Sequence, residues 1–191
     1  IDNSSANNIG FFSNLSGNVT EIKFQNILVK GLGDTGALAG DQGTNSSVSQ
    51  LVFENVTVVG NDNRTGGLIG FAEGIISEVG IKNLNLSGKG LVGGLVGVLD
   101  NSEIQSSYVI GAVSGTDEVG GLAGRIKDNS KILNSYSQVN LTLLNGNIKG
   151  GLVGKANNPN QIKNSYALQK LVGALNNTIY DNVTNFYNNA N

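Results

Sequence analysis

The sequence has 191 residues, of which 14% are charged, and 12 Lys+Arg against 14 Asp+Glu leave a formal net charge of -2. That balance excludes the basic stripe of a nucleic-acid-binding surface. The absence of Cys and His excludes thiol nucleophiles, disulfides, Cys/His metal sites and Ser-His-Asp triads. No cofactor is expected and no metal site is assigned, weak calcium binding by Asp/Asn turns such as those at Asp100 and Asp128 being the one metal reading left open.

Gly (28 residues) and Asn (29) are abundant and Pro occurs once, a composition rich in turns and poor in helix formers. The longest apolar run, Leu91 to Leu99, is interrupted by glycines and is shorter than the roughly 20 residues a membrane span needs. The amino end, Ile1-Asp2-Asn3-Ser4-Ser5, has no basic segment followed by an apolar stretch, so an export signal is expected to have been removed or left out.

Along the chain, a Gly-Gly-Leu-x-Gly element recurs as GALAG at Gly36, GGLIG at Gly66, GGLVG at Gly93, GGLAG at Gly120 and GGLVG at Gly150, with starts separated by 30, 27, 27 and 30 residues. A weaker copy begins at Ile9, and an incomplete unit runs from about residue 176. Such a period is the signature of a stacked repeat array. A second phase lies in Phe24-Gln25-Asn26-Ile27, Phe53-Glu54-Asn55-Val56, Ile81-Lys82-Asn83-Leu84, Ile104-Gln105-Ser106-Ser107-Tyr108, Ile132-Leu133-Asn134-Ser135-Tyr136 and Ile162-Lys163-Asn164-Ser165-Tyr166.

Runs such as Leu51-Val52-Phe53 and Val56-Thr57-Val58-Val59 are β-branched and end in turn residues, which predicts strands; no unit holds a stretch long enough for two helices. The expected fold is a single all-β solenoid over residues 1–191, a right-handed parallel β-helix of six to seven coils stacked about 4.8 Å apart. The Leu of each GGLxG strand (Leu68, Leu95, Leu122, Leu152) points into the core. Asn26, Asn55, Asn83, Asn134 and Asn164 are expected to form one asparagine ladder, inward or at a corner, interrupted at Ser106. Tyr108, Tyr136 and Tyr166 form an aromatic stack, with Phe24 and Phe53 serving the earlier coils.

GGLVG followed about a dozen residues later by Ile-x-Asn-Ser-Tyr resembles the GLUG motif of bacterial surface proteins, with its best copies at Gly93 to Gly115, Gly120 to Val139 and Gly150 to Ala167. The first two units lack Asn-Ser-Tyr and are placed by phase alone. GLUG segments occur in large secreted or wall-anchored proteins, including adhesin-like proteins and immunoglobulin A-specific metallopeptidases, where they lie outside the catalytic domain. The resemblance implies an extracellular or cell-surface location and names no ligand.

Two GxGxxG strings, at Gly31 and Gly88, match a dinucleotide-binding pattern, but no helix-capable segment follows either, so both read as turns. Glu73, Asp100 and Asp128 lie seven, seven and eight residues after their unit starts and could align on successive coils. Parallel β-helix glycosidases and lyases build sites from such acids; solvated turn residues are the plainer reading. Asn-x-Ser/Thr sequons are frequent, and some, such as Asn55, belong to the ladder and should be inaccessible. Neither end offers a capping helix, and Phe11, Phe12, Phe186 and Tyr187 provide aromatic area there. End-to-end stacking of copies and excision from a longer array both account for this.

Function is therefore expected to be that of a non-catalytic, extracellular structural and adhesive module. Its partners would be a host, matrix or neighbouring-cell surface, or further copies or repeats of the same protein. The alternatives are a self-assembling filament subunit and a polysaccharide-active β-helix enzyme.

Overall fold

The β-branched runs become the long side of a parallel β-solenoid of about six turns. A computed structural model describes residues 1–172 apart from 4, 128, 145–147, 158–160 and 169–170. The described residues contain no α-helix. Their strands form three parallel sheets, each coil contributing to each side in turn.

The long side stacks Lys23–Gly31, Ser47–Gly60 and Ile75–Ser87. Later coils divide the same side into Glu103–Gln105 with Tyr108–Gly115, Lys131–Leu133 with Tyr136–Leu143, and Ile162–Lys163 with Tyr166–Ala167. A short second side stacks Arg64–Gly66, Leu91–Gly93, Glu118–Gly120 and Ile148–Gly150. The third stacks Phe12–Leu15, Ala39–Gln42, Ile69–Ala72, Val96–Leu99, Ala123–Ile126 and Val153–Ala156.

GGLxG is a corner rather than the expected strand. Its first Gly ends the short side, its second Gly and its Leu form the bend, and the third side opens on the fourth residue. The bend aims the Leu inward: Leu38, Leu68, Leu95, Leu122 and Leu152 are all buried, each of the first four amides donating to the Leu carbonyl of the next coil at 2.8–2.9 Å. The last Gly of the motif faces backbone. A Cβ at Gly97 would stand 2.6 Å from Gly70 O and 2.7 Å from Thr65 N, and one at Gly124 would stand 2.6 Å from Val92 N. The two sides meet with main chain against main chain, which no larger residue permits.

The core is a set of vertical columns, among them Val48, Ile76, Ile104, Ile132 and Ile162, and Phe53, Ile81 and Val109. The register corrects the second sequence phase. Ile104 pairs with Ile76 and Tyr108 with Gly80, so the Ile-x-Asn-Ser-Tyr segments lie five residues out of step with Phe53-Glu54-Asn55 and Ile81-Lys82-Asn83. The first three coils kink twice, at left-handed Glu21, Gln50 and Glu78 and again at Asn26, Asn55 and Asn83. Later coils keep only the first kink, at Ser106, Asn134 and Asn164. A register shift between Val109 and Gly111 absorbs the bulge of Asn83.

Candidate functional site

Three kinds of ladder, of asparagine, serine and tyrosine, share the long side, and each follows from the backbone at its position. At the kinks φ lies near +50 to +58°, a region Asn tolerates because its short amide can bond locally. The expected single asparagine ladder is two. Asn55 Nδ2 donates to Asn26 Oδ1 at 3.0 Å and Asn83 Nδ2 to Asn55 Oδ1 at 3.1 Å; separately, Asn164 Nδ2 donates to Asn134 Oδ1 at 3.2 Å. Ser106 stands in the second column, between Glu78 and Asn134, and does not interrupt the first. All five asparagines are exposed, Asn55 included, because a kink turns its side chain away from the core.

The next residue of Asn-Ser-Tyr was not singled out from the sequence, yet it points inward. Ser107, Ser135 and Ser165 are buried beneath the kinks, in the column that Leu51 and Val79 fill in earlier coils. Each hydroxyl donates to the carbonyl two residues back at 2.7–2.8 Å and accepts the amide of the coil before it at 3.1 Å, from Val79, Ser107 and Ser135 in turn. The signal was present as Ser recurring in phase between Asn and Tyr.

The tyrosine then points outward again. Tyr108 and Tyr136 stack with ring centroids 5.2 Å apart and planes 7° from parallel, and Tyr136 and Tyr166 at 5.3 Å and 6°. The first two rings are half-buried, and Tyr166 is 38% exposed. Desolvation, with smaller contributions from Tyr108 and Tyr166, raises the Tyr136 phenol above its usual range. Tyr108 lies over Gly80, where a Cβ would come 2.6 Å from its hydroxyl. Phe24 and Phe53 stack at 4.5 Å in the adjacent column, one residue on in register, which Ile81 and Val109 continue through the core.

The carboxylate column does not assemble as expected. The amides of Glu73, Asp100 and Lys127 each donate to the residue before the corresponding position one coil earlier, Gln42, Ala72 and Leu99, so Lys127 occupies the step above Asp100. Its Nζ lies 2.7 Å from Asp100 Oδ2. Asp128 itself lies outside the described residues. No group of three or more Asp, Glu, His or Cys arranged to hold a metal occurs among the described residues.

Beside this step a charged network crosses the third side. Arg64 pairs with both oxygens of buried Asp34 and lies 4.0 Å from the Phe71 ring centroid, with Lys127 on the same ring at 5.4 Å. Burial first, then the Asp34 charge, raises the Asp41 carboxyl, with Arg64 and the Gln42 amide opposing. An open polar cleft of about 430 Å³ adjoins Asp34, lined by Asn7, Asn8, Gly33, Asp62 and Asn63. Farther along, Arg125 grips Glu118 through two hydrogen bonds of 2.5 and 2.6 Å, which raises the guanidinium further.

At the first coil, Phe11 (59% exposed) and Phe12 (37%) stand with Ile22 and Leu28 on the surface, Phe11 edge-on to Phe24. Phe186 and Tyr187, the other half of the expected end-to-end contact, lie outside the described residues. No helix among the described residues is long and apolar enough to cross a membrane.

In sequence, the chain is 29% identical over 189 residues to an immunoglobulin A1 protease of Streptococcus pneumoniae. The match takes in 91% of this chain and only 9% of that protein, so the chain spans less than a tenth of its relative's length. No family profile matches the sequence, and no solved structure matches the chain.

Proposed function

We propose that the chain is a structural and adhesive module of an extracellular or surface protein, presenting its outer columns to a host, matrix or neighbouring-cell surface and performing no catalysis of its own. The observation that carries this reading is a match along nearly the whole solenoid to a small part of a much longer protein named for acting on an immunoglobulin, itself an extracellular protein. The GLUG-like segments around Gly93, Gly120 and Gly150 support the same location. Against the polysaccharide-active alternative stands the ion pair of Asp100 with Lys127, which engages the Asp100 carboxylate and leaves the column without its third acid.

The test is a panel of matrix proteins and glycans offered to the chain and to Asp100→Asn. Binding that survives the substitution is the expected result. Glycan cleavage that disappears with it would replace this reading with the enzymatic one. A second reading, assembly of further copies on the first coil, is favoured by exposed Phe11 and Phe12. Concentration-dependent sedimentation lost in a Phe11→Ser/Phe12→Ser variant would establish it, and a monomer at all concentrations would remove it.

A further inference from the structure

Tyrosine is the most readily oxidised side chain this protein has. Cys, Met, Trp and His are all absent, and of five tyrosines three stand in one stack. In most proteins thiols and thioethers intercept an oxidant first; here nothing does. The lack of cysteine also means that no disulfide can tie one coil to the next.

From this juxtaposition we infer that the Tyr108–Tyr136–Tyr166 stack is a site of oxidative cross-linking, at which a dityrosine bond staples neighbouring coils under a one-electron oxidant such as a peroxidase with hydrogen peroxide. The geometry favours coupling within the chain over coupling between chains. The rings repeat by the coil translation, near-parallel and 5.2–5.3 Å apart, so each phenol always has another beside it, while their partial exposure admits the oxidant and leaves room for the rings to tilt together. Each of two neighbouring phenols loses one electron and its hydroxyl proton; the two radicals join through a bond between ring carbons ortho to oxygen. The two hydrogens on those carbons then move to the oxygens and restore both phenols. The net change is loss of two electrons and two protons, which reduce one hydrogen peroxide to two waters. Tyr136 has a partner on each side and is the obligate member, since Tyr108 and Tyr166 are two coils apart.

Cross-linking positions 28 or 30 residues apart closes a loop in the unfolded chain, and the expected rise in unfolding midpoint is roughly 10 °C. The experiment treats the 191-residue chain at low concentration with a heme peroxidase and hydrogen peroxide, and in parallel with a light-activated ruthenium sensitiser and persulfate, then maps products by peptide mass spectrometry. The expected product is a monomer lighter by two hydrogens, with the Tyr136 peptide joined to that of Tyr108 or Tyr166 and a higher midpoint. Tyr136→Phe preserves the ring stack, removes the phenol and brings the intrachain product to background; Tyr108→Phe leaves the Tyr136–Tyr166 link. Links found only between chains, only through Tyr180 or Tyr187, or absent while tyrosine is consumed would overturn the inference.

Discussion

Replacing Ser135 with Ala removes one hydroxyl from the middle of the buried serine ladder, and the structure fixes which group is left without a partner. Ser135 Oγ donates to Leu133 O at 2.7 Å and accepts the Ser107 amide at 3.1 Å. Leu133 O also accepts the Ser106 amide at 3.0 Å, so it stays satisfied in the variant. The loss falls on the Ser107 N–H, in a residue 1% exposed where no bulk water reaches it. A buried donor so stranded costs about 1–3 kcal/mol. For a domain of this size about 2 kcal/mol lowers Tm by about 4–8 °C. Thermal unfolding followed by circular dichroism reads the loss, and amide exchange should accelerate at Ser107. The matched control is Asn134→Gly one residue earlier. Gly accepts the φ of 50° there, so the substitution removes only an exposed ladder bond, and its expected cost is about 0.5 kcal/mol. A Ser135→Ala protein that melts with the parent, or above Asn134→Gly, would refute the argument that the inward serine, not the outward asparagine, holds these coils together.

Gly97→Ala forces a Cβ against the Gly70 carbonyl and the Thr65 amide, neither of which can move without opening the corner; a loss above about 4 kcal/mol, seen as insoluble or unfolded protein, is expected, and a parental Tm would contradict it. Thr65 carries a buried hydroxyl without a hydrogen-bond partner in the inward column that Val92 and Val119 continue, so Thr65→Val should raise stability by about 1 kcal/mol in urea titration. Asp41 has a carboxyl pKa raised in the folded state, chiefly by burial, so its charged form weakens the fold above that pKa and the penalty fades as acid protonates it. Asp41→Asn should therefore melt higher than the parent at neutral pH, with the gap closing toward the acid side of the carboxylate range; a gap that widens in acid would have the sign wrong.

The period and the sidedness of the fold were legible in the sequence because close packing at the GGLxG corner admits almost no variation. Only Gly fits where main chain meets main chain at Gly97 and Gly124, and each Leu fills the same slot in the core. The vertical register was less legible, for a physical reason. Two kinks, five residues apart, both need a left-handed residue and both recruit Asn, so Phe53-Glu54-Asn55 and Ile132-Leu133-Asn134 look alike while occupying different columns. What separates them is the side of the sheet taken by the neighbours. Asn134 is followed by an inward Ser and an outward Tyr, whereas Asn55 follows buried Phe53 by two and is followed by buried Val56.

The carboxylates misled for a different reason. Glu73 and Asp100 lie seven residues after their unit starts and Asp128 eight, and in a parallel stack one residue exchanges inside for outside, or one surface column for the next. The step above Asp100 belongs to Lys127, and what reads in the sequence as three like charges becomes an ion pair between coils. In a solenoid of this kind a proposed surface site depends on register as much as on residue type. The tyrosine stack meets both conditions, because Tyr108, Tyr136 and Tyr166 are tied by explicit strand pairing on either side of Tyr136.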